Sequence, residues 1–155
     1  MFKKWVSIMF MLIIIVGCTR SGLSGNMPPN AKVVVNDQEY ETVLGTYCWS
    51  GGWNSGICVD TAGPTELLKE KETITVKGGE RVTIKIDFEP QPTEIHVEQF
   101  INETGIEVPL EGLQFSVPEE PGVYYYSIGA WWLDEEDENV SLGDAFYAIA
   151  LEVSN

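Results

Sequence analysis

The sequence predicts an all-β protein built as an antiparallel β-sandwich, and three observations predict it. Short runs of β-branched and aromatic residues recur along the chain, several with a period of two. Turn residues separate them at intervals of roughly 8 to 12 residues, as in sandwich domains. Helical composition is confined to Thr65 to Lys71, too short for more than one or two turns.

The first thirty residues precede that domain. Met1-Phe2-Lys3-Lys4 is cationic, and Trp5 to Val16 is twelve residues that are apolar apart from Ser7. A bilayer span needs roughly 20 residues, so residues 1–17 fit a secretory signal peptide instead. Ile15-Val16-Gly17-Cys18 closes the segment and resembles the lipobox read by lipoprotein signal peptidase. That resemblance implies lipidation of Cys18 and a lipid-anchored chain facing outside the cytoplasm. Thr19 to Asn30 is small, polar or flexible and ends in Met27-Pro28-Pro29. Residues 18–30 are therefore expected to form a tether that reaches roughly 20 Å as a flexible coil. A single sandwich domain, 31–155, is expected to follow.

Within that domain Val33-Val34-Val35 forms the first strand, and Tyr40 to Trp49 alternates loosely. Thr73 to Lys77 and Arg81 to Phe88 flank Gly78-Gly79. The second run places Val82, Ile84, Ile86 and Phe88 on one face and Arg81, Thr83, Lys85 and Asp87 on the other, so one face is core and one is wet. Beyond Pro90-Gln91-Pro92, Glu94 to Glu98 alternates with Ile95 and Val97 inward. Ile106 to Leu110 and Leu113 to Val117 are shorter runs, and Pro118 to Gly122 is a turn. Gly122 to Trp132 is a long aromatic strand. Ala145 to Val153 is apolar on both faces apart from Glu152, which places it centrally in its sheet.

Removing Lys3 and Lys4 with the signal leaves seven cations against 24 acids, a formal charge of −17. Such a surface repels nucleic-acid phosphates and anionic lipid, so neither is an expected partner and the membrane is met through the lipid alone. Six tyrosines, six phenylalanines and five tryptophans supply a core despite that charge. Lipidation of Cys18 leaves Cys48 and Cys58 as a pair outside the reducing cytosol, flanking a glycine-rich turn. A disulfide between them is expected, worth about 3 kcal/mol in the chain-entropy model.

Pro121-Gly122-Val123-Tyr124-Tyr125-Tyr126 resembles the start of strand F in immunoglobulin-like sandwiches, where a tyrosine locks the corner. The resemblance runs from Lys69 to Val153 and implies that fold, with a cupredoxin-like or jelly-roll sandwich as the alternative. A wider set of segments is Gly45-Thr46-Tyr47-Cys48-Trp49, Cys58-Val59-Asp60, Gly63-Pro64, Trp131-Trp132 and Gly143-Asp144-Ala145-Phe146-Tyr147. With these the chain resembles small uncharacterised lipoproteins of Gram-positive bacteria, which implies no particular activity.

His96 is the single histidine, and no Gly-x-Ser-x-Gly elbow accompanies it. It shares an outer strand face with Glu94 and Glu98, spaced about 7 Å apart, too far for one ion without further ligands. Asp134 to Asn139 is the densest acidic run. Oxygen ligands there, Asp134 and Asp137 among them, suit calcium, yet the run departs from the EF-hand pattern and reads as a solvated hairpin tip. No cofactor is expected. Trp49, Trp53, Trp131 and Trp132 are the candidate binding residues, because exposed tryptophans beside a disulfide loop stack on sugars or anchor proteins. Asp60 is a candidate polar partner to that surface. The expected function is a non-catalytic binding or accessory module for an envelope or membrane protein. The alternative is a glycan hydrolase, which needs two carboxylates about 5 to 10 Å apart in a cleft.

Overall fold

The computed structural model describes residues 23–51 and 55–154. The strands are β1 (Ala31–Val35), β2 (Gln38–Glu41), β3 (Val43–Gly51), β4 (Ser55–Val59), β5 (Ile74–Lys77), β6 (Arg81–Ile86), β7 (Glu94–Ile101), β8 (Thr104–Val108), β9 (Gln114–Ser116), β10 (Gly122–Leu133) and β11 (Ser141–Ser154). One helical turn, α1 (Pro64–Leu67), lies between β4 and β5. A small sheet has the order β2-β1-β6-β9, and a larger one the order β4-β3-β11-β10-β7-β8. All pairs are antiparallel except β5, which runs parallel to the end of β11.

The two sheets pack face to face as a β-sandwich. Strand β6 obeys the period of two seen in its sequence: Val82, Ile84 and Ile86 are buried, while Arg81, Thr83 and Lys85 face out. They meet Val97, Tyr126, Ile128, Ala130, Trp132, Ala145, Tyr147, Ile149 and Leu151 from the large sheet in one core. Strand β11 lies between β10 and β3, as its two apolar faces require. Over β5 to β11 the neighbours β7, β10 and β11 face the pair β6 and β9, which is the C-F-G over B-E arrangement of immunoglobulin-like sandwiches. At the start of β10 the Tyr124 hydroxyl donates to the Glu120 carbonyl at 2.9 Å, the corner bond expected from that sequence.

Three boundaries differ from the sequence reading. The run from Tyr40 to Trp49 is two strands, interrupted at Thr42, whose amide and hydroxyl both donate to the Ala31 carbonyl. Strand β6 ends at Ile86, because the Gln91 amide takes over the Ile86 and Phe88 carbonyls. The third correction concerns the tether. From Leu23 onward it is part of the domain: Leu23 and Pro28 are buried, Leu23 bridges Gly51, and Tyr147 donates to the Pro29 carbonyl at 2.7 Å. Two apolar side chains outweigh the polar residues around them, since each removes apolar surface from water.

Candidate functional site

The outer faces of the two sheets carry different chemistry. On the small sheet Lys32 pairs with Glu39 and Glu41, and Lys85 pairs with Glu39 and Asp87. Arg81 reaches Glu111 at 2.7 Å. These contacts are solvent-exposed and individually weak, but they occupy the cations.

The outer face of the large sheet is built from three rows set by strand register. In the first, His96 on β7, Gly129 on β10 and Phe146 on β11 lie side by side. Trp131 leans back over Gly129, where a Cβ would lie 2.5 Å from its Cη2 atom. The indole therefore stands between His96 and Phe146, edge-to-face with both at centroid distances of 5.4 and 5.3 Å. The second row is Glu98, Ser127 and Ala148, and the third is Phe100, Tyr125 and Ala150. Small residues between two aromatic rows leave a trough.

That trough is an open groove of about 300 Å³. Phe100, Phe146 and Ala148 line it on the sheet side, and Leu67 and Pro64 of α1 wall it from above. At its β3 end Thr46 is held by Thr61 and Asp60, through hydroxyl contacts of 3.3 and 3.2 Å. Ser127 lies in its floor and is 6% exposed.

Carboxylates surround the aromatic row. His96 Nδ1 contacts Glu107 at 3.1 Å, and its Nε2 lies 3.8 Å from Glu94. Burial raises the Asp144 carboxyl above its ordinary range, partly offset by a hydrogen bond from the Cys48 backbone. Among the described residues no Lys or Arg pairs with Glu94, Glu98, Glu107 or Asp144. Burial also holds the Tyr126 and Tyr147 phenols protonated well above the usual range, as befits core side chains.

The tryptophans divide differently from the sequence expectation. Trp49 and Trp132, each 1% exposed, pack edge-to-face with one another and with Phe88 in the core. They are corrected from binding candidates to core side chains, since strand alternation points both inward, away from the outer face of the sheet. Trp132 donates to the Pro90 carbonyl at 2.8 Å. Trp131 is the half-buried outer member of its pair. Trp53 and Cys18 lie outside the described residues. Cys48 and Cys58 are disulfide-bonded across directly opposed positions of β3 and β4. Asp60 is exposed beside Thr46, at the rim of the groove rather than next to the tryptophans it was expected to assist. Asp134 and Asp137 accept backbone amides of Glu136, Asp137 and Asn139 within the β10–β11 hairpin tip, so both act as turn caps. Glu94, His96 and Glu98 do share one face, but no group of three potential ligands able to hold a metal occurs among the described residues.

The sequence reading missed Phe146, Phe100, Glu107, Ser127 and Gly129. The last two carry a signal: small residues at alternate positions of a strand that otherwise bears tyrosine and tryptophan mark a place where something else covers the sheet. No protein-family model matches the chain, and no curated protein matches it.

Proposed function

We propose that the mature chain is a lipid-anchored, extracytoplasmic binding or accessory module that recognises a membrane or envelope protein through the outer face of its large sheet. The observation that carries this reading is the row of His96, Trp131 and Phe146, half-buried or exposed, bordered by carboxylates that have no Lys or Arg partner among the described residues. Aromatic side chains anchor interfaces, and unpaired charges of one sign steer partners of the other. The groove beside the row supports binding over glycan hydrolysis, because Glu98 is the one carboxylate among its described lining residues and a hydrolase uses two.

Lipidation at Cys18 would place the anchor five residues before Leu23. A fully extended link of that length spans about 18 Å at most. The domain would then ride close to the headgroups, on a leash much shorter than the whole segment from Thr19 to Asn30 would provide.

Crosslinking in living cells with a C-terminally tagged chain tests the binding reading. A single membrane or envelope protein should be captured by the wild type and lost with Trp131→Ala, while a change at the hairpin tip, Glu135→Gln, leaves capture intact. Capture that ignores Trp131→Ala would reject this face. The anchor is tested separately by labelling cells with an alkyne fatty acid, which should mark the wild type and not Cys18→Ala.

A further inference from the structure

We propose that the groove on the large sheet takes a lysine or arginine side chain, presented by an extended basic segment of the partner. The inference rests on the binding-module reading above and names the chemistry of its occupant. Three observations carry it.

The groove exists because Ser127 and Ala148 are small and lie between aromatic rows. Its walls, Phe100, Phe146, Leu67 and Ala148, are apolar and suit an aliphatic stem. Ser127, 94% buried as the complement of its 6% exposure, has no side-chain hydrogen-bond partner among the described residues, and alternation with Tyr126 and Ile128 points it away from the core. Its Oγ is reached from the groove rather than sealed in the core, and is free to accept a hydrogen bond from an occupant.

The third observation is charge. Glu98 sits directly opposite Ser127 on the neighbouring strand, so the two side chains are adjacent on one face. In this structure the Glu98 carboxylate leans over Gly105 on β8, so a cationic head seated at Ser127 donates to that hydroxyl and meets Glu98 once the glutamate side chain swings back towards β10. Glu94, Glu107 and Asp144 extend the negative field along the same face, matching a segment with more than one cation. A sugar ring would need polar partners around its whole rim. Among its described lining residues the groove offers two free polar side chains, Ser127 and Glu98, because Thr46 and Thr61 are engaged with one another, with Asp60 and with the Ala62 carbonyl.

The test uses the full chain in non-ionic micelles, titrated by calorimetry with acetylated hexalysine, hexaarginine and chitotetraose at physiological salt. Hexalysine or hexaarginine should bind, and Ser127→Val and Glu98→Gln should each weaken binding by about tenfold or more, as expected for losing a partner of a charged hydrogen bond. Ser127→Ala, which matches its neighbour Ala148 in size, should do the same and guards against misfolding of the valine variant, with circular dichroism as the check. Glu135→Gln removes the same charge from the hairpin tip and should have little effect. An equal loss with Glu135→Gln would assign binding to diffuse charge and overturn the proposal, as would chitotetraose binding in place of the cationic peptides. Failure here with Trp131-dependent capture intact would remove the cationic occupant and leave the binding face; loss of both would remove the face as well.

Discussion

Trp131 occupies the space that a side chain on Gly129 would fill, its Cζ3 atom lying 2.7 Å from the position of a Cβ there. Gly129→Ala must therefore push the indole outward, away from Phe146 and His96. The expected result is a folded protein weakened by about 1–3 kcal/mol, the usual range for overpacking, with partner capture lost. Near-ultraviolet circular dichroism should show the changed tryptophan environment. A variant with unaltered spectrum and capture would mean that the indole position is irrelevant.

Adjacent tryptophans should behave oppositely. Trp132 is buried against Trp49 and Phe88 and is hydrogen-bonded to Pro90, so Trp132→Ala should cost about 3–5 kcal/mol. Trp131→Ala removes a half-buried ring and should cost about 1–2 kcal/mol. Urea denaturation of the two variants measures the difference, and equal losses would contradict the placement of the pair on opposite faces.

Leu23 behaves as a core residue although a polar segment surrounds it. It is 3% exposed and reaches towards Gly143 beside Trp49. Leu23→Ala should destabilise the domain by about 2–4 kcal/mol. A chain shortened to begin at Asn30 should be weakened further, by loss of the Tyr147 bond to Pro29. Thermal melts indistinguishable from the wild type would show that the segment is a free tether after all.

The Asp144 carboxyl has its folded pKa raised by burial, which gives stability a definite pH dependence. The folded state holds this proton more tightly than the unfolded chain, so ionisation subtracts stability above the folded pKa and the loss is relieved as pH falls through it. Asp144→Asn should therefore be more stable than wild type at pH 7, and its advantage should shrink on acidification. Urea midpoints of both proteins from pH 4 to pH 8 test the sign; a constant offset would leave the burial of this carboxylate without consequence.

Cys48 and Cys58 are opposed in register, so the bond closes a short loop across an already paired hairpin. Replacing both by alanine should lower stability by about 2–3 kcal/mol. Melting with and without a reductant should reproduce that change in the wild type and show none in the double variant.

What the amino-acid sequence determined by itself was the inner face of its most regular strands and the pairing of the two cysteines around one turn. The period of two in Arg81 to Ile86 selects the inner face of β6, and the doubly apolar run in β11 demands a central position. The tyrosine after Pro121-Gly122 announces its corner bond, and two cysteines around one turn announce their disulfide. Alternation also says that Trp131 and Trp132 point to opposite faces, but not which is inward. That depended on the tertiary structure, because β10 is packed on one side by the small sheet and only the registers with β7 and β11 bring Gly129 between His96 and Phe146. The groove follows the same logic: Glu98, Ser127 and Ala148 are far apart in sequence and become neighbours through hydrogen-bond register alone. Leu23 likewise reveals its role only in the tertiary structure, where Gly143 has no side chain to keep it from packing beside Trp49.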